Sequence, residues 1–160
     1  MIYLVMGVSG AGKTTVGRAL AVALGCDFLE GDSLHPAANI EKMAHGIPLD
    51  DADRAPWLAA IRRHLEAAAR AGRMLVVACS ALKQRYRDQL DHGLAVRWVY
   101  LRGDPAMLHQ RLAHRQGHYM KANMLASQLA DLEEPSPQSA LIVDAALPLP
   151  AIVAQVLAHH

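Results

Sequence analysis

The run Gly7-Val8-Ser9-Gly10-Ala11-Gly12-Lys13-Thr14 constrains this chain more than any other stretch. It matches G-x-x-x-x-G-K-[ST] at every fixed position. Its flanks agree with it. Ile2–Met6 reads as a strand, and Lys13–Leu24 reads as a helix with Val16, Leu20 and Ala23 on one face. A strand that enters a glycine-rich turn and leaves as a helix aims backbone N–H groups at one point. The helix N-terminus adds positive potential there. The ligand such a loop holds is the phosphate chain of a nucleotide. Gly7, Val8, Ser9, Gly10, Ala11, Gly12, Lys13, Thr14 and Thr15 are the expected binders. Lys13 reaches the β- and γ-phosphates, and the Thr14 hydroxyl suits Mg²⁺.

The remainder of the chain reads as apolar runs alternating with helical stretches. Asp27–Glu30 is a short strand, and Ala37–Gly46 a helix with Pro36 before it. Pro56–Ala71 is a long alanine-rich helix, and Met74–Cys79 a buried strand followed by a helix at Ala81–Leu90 with Ser80 as its cap. Val96–Leu101 is a strand, and Asp104 caps a helix with Pro105 at its first position. Ala122–Leu132 is a helix, Leu141–Val143 a strand, and Ala151–Leu157 the last helix. Alternation of this kind predicts an α/β fold, a five-stranded parallel sheet with helices on both faces. A chain of 160 residues fits a single domain, 1–160.

Charge narrows the partners. Lys and Arg number 16 and Asp and Glu 15, for a net charge of +1. That balance argues against binding to nucleic acid or to an anionic membrane surface. Cys26 and Cys79 are distant in sequence and read as buried reduced thiols. MIYLVM is too short for a membrane span and lacks the basic flank of a signal peptide, so the cytoplasm is the expected compartment. His159 and His160 are read as either native or a tag remnant.

The loop alone leaves the reaction open. No guanine-specificity motif N-K-x-D is present, and the Met74–Cys79 strand ends in Cys79-Ser80 where many ATPases carry a metal-binding acid. A small kinase remains, with its acid supplied elsewhere. The segment Phe28–Pro36 (FLEGDSLHP) is the nearest source. Asp32 lies just past the second strand and suits the carboxylate that orients an acceptor hydroxyl and takes its proton. Glu30, or Asp32, is a second candidate for the metal. His35 is a candidate substrate contact. Arg54, set beside Pro56-Trp57, and Lys83, with Arg87 one turn on, are candidates to grip an anionic acceptor. Arg111 and Arg115 share a helix face. Arg115 is the expected catalytic arginine of a mobile segment, Arg111 a nucleotide contact and His118 an acceptor contact. Gly117 suits a hinge.

Taken in order, GVSGAGKT, EGDSLHP, NIEKMAHGIPLDDADRAPWL, ACSALKQRYRD, YLRGD, RQGHYM and the SQL…LEEP segment resemble the gluconokinases, shikimate-kinase-like P-loop kinases. The resemblance spans nearly the whole chain. It implies ATP-dependent phosphorylation of D-gluconate at its C6 hydroxyl, Mg²⁺, a small helical lid at about 114–133, and a homodimer. Glu30 stands where the family often has Asp. Ala145-Ala146-Leu147-Pro148 departs from V-D-x-D-x-P, and Lys121 replaces a frequent proline. The alternatives are a kinase for another sugar acid, shikimate or a nucleoside monophosphate, and a nucleotide-binding switch without an acceptor.

Overall fold

A computed structural model describes residues 1–114 and 123–159. Strand β1 (Ile2–Met6) is buried along its whole length, as a strand covered on both faces must be. Helix α1 (Lys13–Leu24) follows the glycine loop, and β2 (Asp27–Glu30) runs into a single 3-10 turn, Gly31–Leu34. Then come α2 (Ala37–Ala44), α3 (Asp51–Arg70), β3 (Leu75–Ala78), α4 (Gln84–Asp91) and β4 (Val96–Arg102). Helices α5 (Pro105–Ala113) and α6 (Asn123–Asp131), strand β5 (Leu141–Asp144) and helix α7 (Leu149–Ala158) complete the chain. The strands form one parallel sheet in the order β2-β3-β1-β4-β5.

The sheet has two cores because strand side chains alternate in direction. Tyr3 and Val5 of β1 face a cluster that includes Leu20, Leu108, Leu125 and Ile152. Ile2, Leu4 and Met6 face Trp57, Leu58, Ile61 and Leu65 of α3 with Tyr86 and Leu90 of α4. Helices therefore cover both faces, as the alternating pattern predicts. Because β2, β3 and β1 are neighbours, the segments after their carboxyl ends meet: the turn holding Asp32, the loop holding Ser80, and the glycine loop. A third small cluster, Met43, Leu49 and Met124, closes this end from above.

Three helix starts differ from the sequence reading; α7 begins at Leu149, two residues before Ala151, and the other two differ more. Helix α3 begins at Asp51, five residues before Pro56. Asp50 and Asp53 form a reciprocal capping box, with Asp53 N–H donating to Asp50 at 2.8 Å and Asp50 N–H to Asp53 at 3.0 Å. Pro56 lies inside the helix, held there by the burial of Trp57 and Leu58. Helix α4 begins at Gln84, with Lys83 rather than Ser80 at its N-cap. Ala81 adopts a left-handed φ of 43°, which a helix cannot include. Asp104 occupies the N-cap of α5, but its side chain makes no cap bond. Both cysteines are free thiols. Among the described residues no helix is long and apolar enough to cross a membrane.

Candidate active site

Gly12 sits at the N-cap of α1 with a φ of 96°, a conformation open to glycine, and it turns the loop into the helix. Around it the loop closes a small phosphate cavity lined by Ser9, Gly10, Gly12, Lys13, Thr14, Thr15 and Asp32. Lys13 Nζ donates to Val8 O at 3.0 Å, so the ammonium group lies folded over the loop. Arg111 grips the outer side. Its guanidinium donates to Gly10 O at 3.1 Å, Ala11 O at 3.3 Å and Ala145 O at 2.8 Å. These bonds fasten the loop to the turn after β5, where Ala146 N–H donates to Asp144 at 2.9 Å. Between them lies a cleft lined by Gly10, Gly12, Thr15, Arg111, Ala145 and Leu147 among others.

The side of the candidate site expected to take the acceptor comes from β2. Glu30 receives a hydrogen bond from the Thr14 hydroxyl and another from Asp32 N–H at 3.3 Å. The next residue has to be glycine. A Cβ on Gly31 would lie 2.3 Å from Ala78 O, so only glycine lets the turn press against β3. That approach places Asp32 on the wall of the phosphate cavity and also of a second cavity, which Ser9, Lys13, His35, Arg54, Trp57 and Gln128 line among others. Ser9, Lys13 and Asp32 are common to both.

The ring of His35 stacks on Trp57, centroids 4.2 Å apart, and Trp57 Nε1 donates to Gly31 O at 2.8 Å. The orientation of the imidazole follows from its neighbours. Asn39 Nδ2 donates to Asp53 O at 2.8 Å, which fixes the amide, and the same NH₂ group lies 3.1 Å from His35 Nδ1. Nδ1 is thus the acceptor and Nε2 carries the proton. Burial pushes the His35 pKa down to about 4, against the opposing pull of Asp32 and with a further push from Arg54. The ring is neutral at pH 7.

Arg54 is buried and donates to Tyr86 Oη at 3.0 Å and to Asp131 Oδ2 at 3.0 Å. Tyr86 in turn donates to Asp51, which also holds Arg85, and Lys83 at 3.2 Å. Arg85 first, then Tyr86 and Lys83, hold the Asp51 carboxyl well below the usual carboxylate range. A polar chain therefore runs from the acceptor cavity to the surface through α6, α3 and α4.

Of the expected site residues, the structure brings together the glycine loop, Thr14, Glu30, Asp32, His35, Arg54 and Arg111. It does not bring Lys83 or Arg87 to the cavity wall. Lys83 is paired with Asp51. Arg87 is used to hold the backbone. It donates to Ala81 O at 2.7 Å, Leu82 O at 3.1 Å, Gln84 at 3.0 Å and Glu133 O at 2.6 Å. These bonds pin the left-handed turn at Ala81 and leave the guanidinium facing carbonyls rather than a ligand. Cys79 is fully buried, and burial raises its thiol to about 12, so it stays protonated. Arg115, His118 and Lys121 lie outside the described residues. The sequence reading missed Trp57 as the platform for His35, Asn39 as its orienter, Asp131 as the partner of Arg54, and Gln128. Trp57, Asp131 and Gln128 carry no local signal because each acts through a residue distant in the chain, and Asn39, four residues from His35, is fixed by the distant Asp53 carbonyl.

Size does not identify the site. Hollows of about 560 and 640 Å³ lie along β4 and β5, but neither is lined by Lys13 or Asp32. Among the described residues no three of His, Cys, Asp and Glu gather as a metal-binding group.

A family model described as an AAA domain matches residues 2–135. A gluconokinase of Gluconobacter oxydans is 48% identical over 158 residues, covering 98% of this chain and 89% of that protein. The chain belongs to the gluconokinase family. Thermoresistant gluconokinase of Escherichia coli is 44% identical, covering 98% of this chain and 91% of the relative. The crystal structure of a gluconokinase from Sinorhizobium meliloti superposes with a TM-score of 0.86 at 49% identity, covering 98% and 89% of the two chains. The P-loop kinase fold expected from the sequence is the fold observed.

Proposed function

We propose that Asp32 is the general base of an ATP-dependent gluconate kinase, with the C6 hydroxyl as its acceptor atom. As a gluconokinase-family member the protein is an enzyme that phosphorylates gluconate with ATP. The residue roles that follow are the proposal. One observation carries them: Asp32 and Lys13 are shared between the phosphate cavity and the acceptor cavity. A carboxylate at that junction can take the proton of a hydroxyl as its oxygen bonds to the γ-phosphorus. The bond from that phosphorus to the β,γ-bridging oxygen breaks in the same displacement, and ADP leaves. Lys13 offsets charge on the transferring group.

Arg54 gives two of its five N–H groups to Tyr86 and Asp131, and the remaining donors suit the acid's carboxylate. Neutral His35, with its proton on Nε2, suits a sugar hydroxyl. Lys83 could serve the acid only by leaving Asp51. The Thr14 hydroxyl and the Glu30 carboxylate are hard oxygen donors in contact, which fits Mg²⁺ held mainly by phosphates and water. Bound there, Mg²⁺ neutralises phosphate charge. Arg115 and His118, in a lid at about 114–133, complete the proposal, together with a cytoplasmic homodimer.

The deciding experiment is ADP release under saturating MgATP with a panel of acceptors and identification of the product. Release stimulated by D-gluconate, with 6-phosphogluconate as product, is expected. Preferential turnover of another sugar acid, shikimate or a nucleoside monophosphate would overturn the acceptor assignment. Turnover that no acceptor stimulates would leave a nucleotide switch.

A further inference from the structure

The junction between the two cavities depends on a residue far from the glycine loop. Ser9 is buried, and its backbone N–H donates to Gln128 Oε1 at 2.8 Å across 119 positions of sequence. Gln128 is itself only 7% exposed. It belongs to α6, one turn after Met124, which also lines the acceptor cavity, and one turn before Asp131, which holds Arg54. Residues so spaced share a helix face. This face of α6 touches the acceptor wall and, through Gln128, the loop that holds the phosphates.

Three residues line both cavities, and Gln128 bonds to one of them while lining the acceptor side itself. The chemistry of glutamine fits that position. Its oxygen accepts the loop N–H while the side chain stays neutral. A carboxylate there, on the wall of the acceptor cavity, would oppose an acidic substrate. An apolar side chain would leave the Ser9 N–H buried without this partner. We infer that Gln128 is a positioning residue that sets Ser9 at the junction and thereby the approach of the acceptor hydroxyl to the γ-phosphate. The inference rests on the kinase reading above.

The test compares the wild-type protein with Gln128→Met and Gln128→Glu. Methionine keeps the approximate length and volume without the polar atoms. Glutamate keeps an oxygen for the Ser9 N–H and removes the NH₂ donors. ADP release is measured with and without D-gluconate, beside thermal melting and ADP affinity. Gln128→Met should lower kcat about 10- to 100-fold, the scale of an approximately 1 Å misplacement. It should also raise the share of ATP hydrolysed without sugar phosphate formed, with ADP affinity held within about threefold. Gln128→Glu should recover kcat to within about fivefold of wild type and raise the gluconate KM. Wild-type kcat and coupling in Gln128→Met overturn the inference, as does a Gln128→Glu enzyme no faster than Gln128→Met. If Gln128→Met does not melt cooperatively, Gln128→Ala takes its place: a loss of kcat and coupling that Gln128→Glu does not share supports the inference, and wild-type kcat and coupling in Gln128→Ala overturn it. A wild-type protein that gluconate does not stimulate refutes the functional reading instead.

Discussion

The two halves of the candidate active site, as proposed, are built in opposite ways. The phosphate half is almost wholly backbone, from one unbroken stretch between β1 and α1, tightened by Arg111. The acceptor half is side chains from the 3-10 turn, α2, α3, the loop after β3, and α6. The difference follows from what each half recognises. A phosphate chain is an anion that any ring of N–H groups can hold, so glycines that bend the chain suffice. A polyol acid needs donors and acceptors at separated points, and one short segment cannot supply them. The first half therefore leans on distant residues at few points, Arg111 and Gln128 among them. The second depends on bonds such as Arg54 to Asp131 and Trp57 to Gly31.

The largest expected effect tests the phosphate half. Lys13→Ala should lower kcat about 10³-fold or more, because it removes the cation that the proposed mechanism sets against the transferring phosphate. Circular dichroism and melting should be unchanged, since Lys13 packs no core. A collapsed fold would show that the loop depends on Lys13 for structure. Next, Asp32→Asn should reduce kcat about 10²- to 10⁴-fold with a small change in gluconate KM. A dominant KM effect would move Asp32 from base to binding residue.

The acceptor half predicts smaller, shared effects. Arg54→Lys and Asp131→Ala should each raise gluconate KM about tenfold and keep kcat within about threefold. The double variant should fall well short of the product of the two, because both break the same contact. Multiplicative effects would separate the two residues.

The smallest effect is on acid stability. Folded His35 stays neutral down to about pH 4, whereas an unfolded histidine takes up its proton near pH ~6.5. Between those values the unfolded chain binds more protons, so stability rises with pH across the window and is lost as pH falls through it. The slope from this one group is at most about 1.4 kcal/mol per pH unit. Melting temperatures from pH 4 to 7 should fall less steeply toward acid in His35→Gln than in wild type. Equal slopes would show that His35 is solvated.

Much of the fold was legible because its signals are local. Strand β1 and helix α1 match their expected bounds, since a buried apolar run and a glycine loop leave little choice. The start of α4 was not legible. Ser80 is a good cap in isolation, but the chain makes a left-handed turn at Ala81, braced by Arg87, which reaches back to Ala81 and Leu82 and across to Glu133. The same contact explains why Arg87 read as a ligand and is a brace. Its charge is visible in the sequence, and the carbonyls that use it are not.

Residue order alone settled the phosphate loop, the alternation of strands and helices, and the carboxylate after β2. Each is written in neighbouring residues, and backbone conformation is decided over such short distances. Folding decided which cations line the cavity beside Asp32. Arg54 is turned inward by Tyr86 and Asp131, Lys83 is drawn to Asp51, and Arg87 is consumed by backbone. All three are basic side chains near strand ends or helix starts, alike on paper. Their fates diverge because a charge in a folded protein goes to the partner that packing brings within about 3 Å, and packing joins residues that the chain keeps far apart.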